Sequence, residues 1–524
     1  MNLQDKQKIS RQQVHLWLYF FCLCLLAIAI PTSRTLISAS QILMGVNWLA
    51  EGNFKSKLKT FFNNKPALAF SLIFILYLIG LMWTEDLYYG INDNVLTKLP
   101  LFTLTLLIAT SQPLDIKKIR TVLFLFIATV LTVSLIGIYI YLTADTRTFR
   151  IITPYASHLY FSIMLIISAF TLPWLIKQIT EKKVWLILSL VISTWMLIFI
   201  FLSRSLSGLA SIAGVAALLI IWVLINYKSV IVRTLTIFVF VSLIALTTGF
   251  LIYMHNLVTK KVETNLTSLD LYTEDGNAYT HDTTRTLREN GYLVYIYISE
   301  SELEKKWNKR SDIDYDGEDK ISHSLKHTLF RYMSSKGYRK DGKHLKLLSE
   351  EDIQAIEEGT TNYLYKNWPG VFIRIHQNMM GLQKYRETNN PNWSSYTLRV
   401  DLWKASIEAI QKKPFFGWGT GDIYHAIDYG LVKINSQTKL EDSKPHNQYL
   451  LLLLTLGITG FILFFACYVY TVYKTKAYRV MPFNVFVVAY GVNMLANNPI
   501  DAQYGLTMFV FFTLFFGIIY KDKK

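Results

Sequence analysis

Long apolar runs, rather than periodic stripes, dominate the pattern of hydrophobic and polar positions along this chain. A bilayer-crossing helix needs about 20 mostly apolar residues, and hydropathy read along the chain predicts twelve such spans. Their limits are 14–31, 34–50, 66–84, 97–113, 121–142, 158–176, 184–202, 206–226, 231–253, 447–470, 483–498 and 505–520. Gln41 and Asn47 dilute the second span, and Pro100 stands near the start of the fourth. Only one long polar stretch interrupts the series, at 254–446. The pattern therefore predicts an all-α polytopic membrane protein in three parts. Residues 1–253 form spans one to nine, 254–446 one large loop, and 447–524 spans ten to twelve.

Charge placement gives the threading. Lys and Arg of short loops mark the cytoplasmic side of a membrane protein. Here they fall at Lys6, Lys8 and Arg11, then at Lys55, Lys57, Lys59 and Lys65 after span two. Lys117, Lys118 and Arg120 follow span four, Lys177, Lys182 and Lys183 span six, and Lys228 span eight. Lys474, Lys476 and Arg479 follow span ten, and Lys521, Lys523 and Lys524 close the chain. Every even-numbered exit is basic, whereas the exit of span three carries Glu85, Asp86 and Asp93. Both termini are expected in the cytoplasm and the 254–446 loop outside. The net charge of +16 is thus mostly an orientation signal and does not point to nucleic acid. The basic start followed by Val14–Ile30 has the look of a signal peptide; lacking a small-residue cleavage site, it is read as an uncleaved first helix.

Composition narrows the class further. Hydrophobic residues make up 52% of the 524 positions and charged residues 17%, against about 25% charged in soluble domains. A soluble enzyme and a disordered scaffold are excluded. Cys22, Cys24 and Cys467 all fall inside spans, so no disulfide framework is expected in the exported loop. The loop carries turn signals at Asp275-Gly276, Asp316-Gly317 and Asp341-Gly342, and helices are expected near 322–335, 349–359 and 361–386.

Three residues carry chemistry that their position does not explain away. Arg204 sits where span seven meets span eight on the outer side, and a guanidinium among apolar helices costs about 2.5–3.5 kcal/mol on insertion scales. It either contacts an anion or snorkels to headgroups. Arg399 precedes Trp403 by one turn on an amphipathic helix marked by Leu402, Trp403, Ile407 and Ile410; a charge on such a helix is usually its solvated face, and alone Arg399 reads as that. His446 stands at the entry to span ten, where a neutral imidazole accepts a proton or simply caps the helix. Asn447 beside it is suited to hydrogen-bond a sugar. The run Gly417-Trp418-Gly419-Thr420-Gly421 has no strand before it, so it reads as a helix stop and tight turn rather than a phosphate loop. Asp312 to Asp319 opens like a calcium loop but reaches His323 where a bidentate Glu belongs, and reads as an acidic turn.

As an ordered set these features resemble the O-antigen ligase family, membrane glycosyltransferases related to O-antigen polymerases. The resemblance rests on Ser203-Arg204-Ser205, on Arg399, Trp403, Pro414, Gly417 and Gly419, and on His446-Asn447, Leu450, Gly457 and Gly460. It implies transfer of a glycan from undecaprenyl diphosphate to an acceptor hydroxyl, the family's acceptor being lipid A–core, on the periplasmic face of a bacterial inner membrane. Arg204 and Arg399 would then hold the diphosphate, His446 would activate or orient the acceptor, and Asn447 would bind sugar. No cofactor or metal is implied, because two guanidinium groups meet the phosphate charge. The segment near 262–360 departs from simpler family members as an inserted module. A polymerase of the same superfamily and a protein O-oligosaccharyltransferase share the donor chemistry. A transporter is disfavoured by the nine-to-three split of spans without a half-repeat. A metal-dependent glycosyltransferase would want an acidic pair where Pro31-Thr32-Ser33-Arg34 stands.

Overall fold

The computed structural model describes residues 10–144, 149–438 and 443–520. About 73% of it is helical, and the only ladder among the described residues pairs Arg288–Glu289 with Tyr292–Leu293. Eight helices are long and apolar enough to cross a membrane, among them Arg11–Thr32, Lys183–Leu202, Leu206–Asn226 and Gln448–Thr475. The other four segments expected to span are helical too, as Arg34–Glu51, Pro100–Thr110, Met481–Met494 and Gln503–Leu514. They are shorter or more polar for identifiable reasons. Gln41 and Asn47 lower the hydropathy of the first, and Pro100 occupies the first turn of the second.

The chain forms two compact units, Met1–Ser229 with Leu398–Lys524, and Val230–Thr397. The polar segment 254–446 is thus divided between them. In the first unit, Gln503–Leu514 is apolar all round and lies at the centre: Leu506, Met508, Val510, Phe511, Phe512 and Leu514 are completely buried.

One junction in this unit organises the rest. Gly457 interrupts the helix Gln448–Thr475 with φ +64°, which a residue bearing Cβ adopts only at a cost. The backbone groups freed there are taken up by residues 414–419. Ile458 and Thr459 donate to the carbonyls of Pro414 and Phe415 at 2.8 and 3.1 Å, and Trp418 and Gly419 donate to those of Leu454 and Thr455 at 2.7 and 3.2 Å. A Cβ on Gly417 would lie 2.6 Å from the Gly457 nitrogen. The glycine-rich run is therefore a backbone plug in a broken helix, not a phosphate cradle. Just beyond it, Thr420 donates to the Tyr77 carbonyl at 2.7 Å, and the Asp422 carboxylate accepts from the amides of Glu85 and Asp86, each at 2.9 Å.

In the second unit the helix Val230–Thr259 buries only Met254 and packs on Gly370–Thr388, where the rings of Phe250 and Phe372 stand 4.6 Å apart. Its polar module closes around Leu303, Trp307, Tyr315, Leu325, Tyr332 and Ile356. The helices expected in this module form at Leu325–Ser335 and Glu350–Glu357. The third begins only at Gly370, because Pro369 disfavours helix in the residue before it.

Candidate active site

His446 stands in a short loop that four contacts fix, all within the first unit. The Trp403 indole donates to the Pro445 carbonyl at 2.8 Å, so the helix Ser395–Lys412 holds the residue just before the histidine. The Gln448 amide donates to the Asn497 carbonyl at 3.1 Å, and its side-chain oxygen accepts from Ile500 at 2.9 Å. Lys444, two residues ahead of the histidine, reaches Asp501 at 3.1 Å. Asn447 is the N-cap of Gln448–Thr475: its side-chain oxygen accepts from Tyr449 and Leu450 at 3.0 and 3.1 Å. That oxygen is committed to the helix, and the amide NH₂ takes no part in the cap.

His446 itself has φ +50° and Arg204 φ +52°, a left-handed conformation costing about 1–2 kcal/mol for a residue with a Cβ. Asn fills four of the other such positions (Asn53, Asn290, Asn389 and Asn435) and tolerates them through its short side chain. An arginine gains nothing of the kind. Strain of this sort persists only where surrounding structure over-determines it, and it collects at functional sites. Around Arg204 that structure is visible. Its amide donates to Phe201, Ser203 bonds back to Ile200, and Ser205 caps Leu206–Asn226 through Gly208.

Arg399 lies half-buried in the second turn of Ser395–Lys412, and among the described residues no carboxylate pairs with it. Burial lowers its pKa, the direction expected of a cation removed from water without a counter-charge. Its charge is felt at the histidine. Crowding by the surrounding protein, then Arg399 and Lys444, lower the His446 pKa from 6.5 to about 4. The residue as a whole is exposed, so water relieves part of the crowding; the direction holds because both neighbouring charges are positive. The imidazole is neutral at physiological pH.

The structure thus brings Arg399 and His446 together, while Arg204 shares their end of the unit through a relay of contacts. The Leu206–Asn226 helix packs its Gly208 against Ser162, near the start of His158–Ile179. Leu159 in turn accepts from Asn493 at 3.2 Å, Asn493 from Asn497 at 3.1 Å, and Asn497 holds Gln448.

Sequence reasoning passed over Asp501, Lys98 and Arg34. Asp501 is buried between two lysines, with Lys98 at 2.8 Å and Lys444 at 3.1 Å. Burial alone would raise the Asp501 pKa, but the two ammonium groups hold it well below the ordinary carboxylate range. Arg34 stands over the Tyr504 ring at 5.3 Å. The available signal was an acid in a short polar break, Asn497 to Asp501, between two apolar runs. Among the described residues no group of three or more His, Cys, Asp or Glu is placed to hold a metal.

A groove of about 610 Å³ runs along Arg34–Glu51 and Pro100–Thr110. Ser38, Gln41 and Gln503 line it at one end, and Trp48, Leu49 and Leu106 at the other. Gly45 lies on its wall, with open space where a Cβ would project.

An uncharacterized protein of Haemophilus influenzae is 32% identical over 112 residues, a stretch covering 21% of this chain and 28% of that protein. Residues 364–465 match the family model described as O-Antigen ligase. This stretch holds Arg399, the 414–419 plug, His446 and the Gly457 break, and over it the chain is similar to the O-antigen ligase family.

Proposed function

We propose that this protein transfers a glycan from undecaprenyl diphosphate to an acceptor hydroxyl, most simply on lipid A–core, at the periplasmic face of a bacterial inner membrane. One observation carries the reading: in an O-antigen ligase domain, a neutral histidine sits beside a half-buried arginine that no described carboxylate balances. A site of that kind suits a reaction that brings its own anion.

The chemistry follows from the groups present. Arg399 and Arg204 hold the diphosphate, where the planar guanidinium fork matches phosphate oxygens and meets the charge that grows as the bond breaks. His446 takes the proton of the acceptor hydroxyl as its oxygen attacks the anomeric carbon. The new C–O bond forms as the bond to the phosphate oxygen breaks, and undecaprenyl diphosphate leaves with the electron pair. Attack opposite the leaving group inverts the anomeric centre. The groove beside Gly45 suits the isoprenoid chain, because its lining passes from polar to apolar along the helices that wall it.

Deletion of the gene, followed by analysis of surface polysaccharide, tests the reading. Loss of polymer from lipid A–core with lipid-linked polymer retained is the expected result. Cores capped by a single repeat would make the protein a polymerase, and loss of glycan from protein Ser or Thr would make it a protein ligase.

A further inference from the structure

The Lys98–Asp501–Lys444 cluster is built with more positive charge than its own carboxylate balances. Lys98 is completely inaccessible and Asp501 nearly so, whereas the Lys444 side chain keeps 23% of its surface open. For an isolated pair, Lys98 and Asp501 suffice. Adding a second ammonium to the same carboxylate leaves one net positive charge partly out of water, which is unfavourable unless an anion arrives to share it. Among the described residues no second carboxylate lies within ion-pair distance of either lysine. An ammonium also has three N–H donors. Asp501 accepts one from Lys444, and the Tyr89 ring beside it accounts for at most one more. Among the described residues no other hydrogen bond engages this ammonium, on a lysine two residues from His446.

We propose that Lys444 is a further contact to the donor's diphosphate and that Asp501 is its positioning residue. This rests on the glycosyl-diphosphate reading above. Asp501 anchors to the interior through Lys98 and presents Lys444 outward, so the ammonium is held in place before substrate arrives and loses little freedom on binding. The same pair fixes the start of the segment bearing His446, coupling the diphosphate contact to the base. Lys98 serves as the buried counter-charge and touches no substrate.

The test uses the full chain in lipid nanodiscs, with farnesyl diphosphate as a sugar-free probe and thermal unfolding measured in parallel. Lys444→Met leaves the buried Lys98–Asp501 pair intact, so the fold is expected to survive. It should weaken probe binding about ten- to a hundredfold, the worth of one hydrogen bond to a charged group. Lys444→Arg should stay close to wild type. Asp501→Asn should weaken binding although Lys444 is present, and Asp501→Glu should restore most of it. With lipid-linked donor the loss should appear in KM more than in kcat. Wild-type affinity in both Lys444→Met and Asp501→Asn would overturn the proposal and leave the transfer reading standing. Failure of the wild-type protein to bind any isoprenyl diphosphate would remove both.

Discussion

Two regions of the chain bury ionic groups, and they do so in opposite ways. In the polar module of the second unit each buried carboxylate is saturated. Glu289 meets Arg331 at 2.7 Å and Asn362 at 2.8 Å. Asp352 accepts from Tyr332, Lys336 and Lys366. Glu302 accepts from Thr273, Asn277 and the Gly342 amide. Asp319 closes its own turn through the amides of Ile321 and His323 and takes the Thr328 hydroxyl. Around His446 the balance is broken: Arg399 has no described carboxylate, and two lysines share one. Burial of charge is common to both regions. Among the described residues Lys340 of the module is also buried without a carboxylate in ion-pair distance and donates instead to the Ser334 hydroxyl at 3.1 Å; what marks the other region is two cationic groups, Arg399 and Lys444, gathered beside one histidine.

Four expected outcomes press on that contrast. The largest belongs to the base. His446→Ala should slow transfer about 10²–10⁴-fold while leaving isoprenyl diphosphate binding nearly intact. The pH profile carries the sign. A base works deprotonated, and the His446 pKa is lowered to about 4, so wild-type transfer should stay flat from pH 8 down through 6.5. An acid limb centred near 6.5 would show that the neighbouring cations do not act on the ring.

Next come the arginines. Arg399→Ala and Arg204→Ala should each lower kcat/KM by roughly 10²–10³, the loss seen when one charge-stabilising donor is removed. Lysine at either position should rescue poorly, since it restores charge but not the fork. Full activity of both lysine variants at normal protein levels would assign the arginines to solvation.

On the other side of the contrast, Glu289→Ala should cost about 3 kcal/mol of stability by stranding Arg331 and Asn362. The rate per folded molecule should be unchanged, and thermal unfolding read beside specific activity separates the two effects. A fall in kcat at full stability would bring the module into the chemistry.

The smallest effect is expected in the groove. Gly45→Trp projects into open space and should fold normally, raising KM for a long-chain donor by up to about tenfold with little change for a farnesyl-linked analogue. Equal KM values for both donors would move the isoprenoid chain elsewhere.

Much of this was legible before any coordinates. Hydropathy located the eight helices of the described residues that are long and apolar enough to cross a membrane, since an apolar run of that length has few other fates. Arg204 stood out as an ionisable group where apolar sequence makes one expensive, whereas Arg399 and His446 stood out only as members of an ordered set of motifs. The glycines at 417, 419 and 457 were visible as breaks, but not as two halves of one joint. A left-handed φ and a close backbone approach 40 residues apart leave the same letter in the sequence.

What the sequence determined by itself, then, was the set of apolar helices and, in Arg204, an ionisable residue out of keeping with them, because both follow from local transfer energies summed along the chain. Tertiary structure decided which charges meet. Lys98, Lys444 and Asp501 stand in three separate parts of the sequence, and nothing local marks them as partners. It also decided that Asn447 gives its oxygen to a helix cap and that Arg399 acts on His446. Ion pairing and pKa depend on distances in space within a medium of low dielectric, and those distances exist only once the helices have packed.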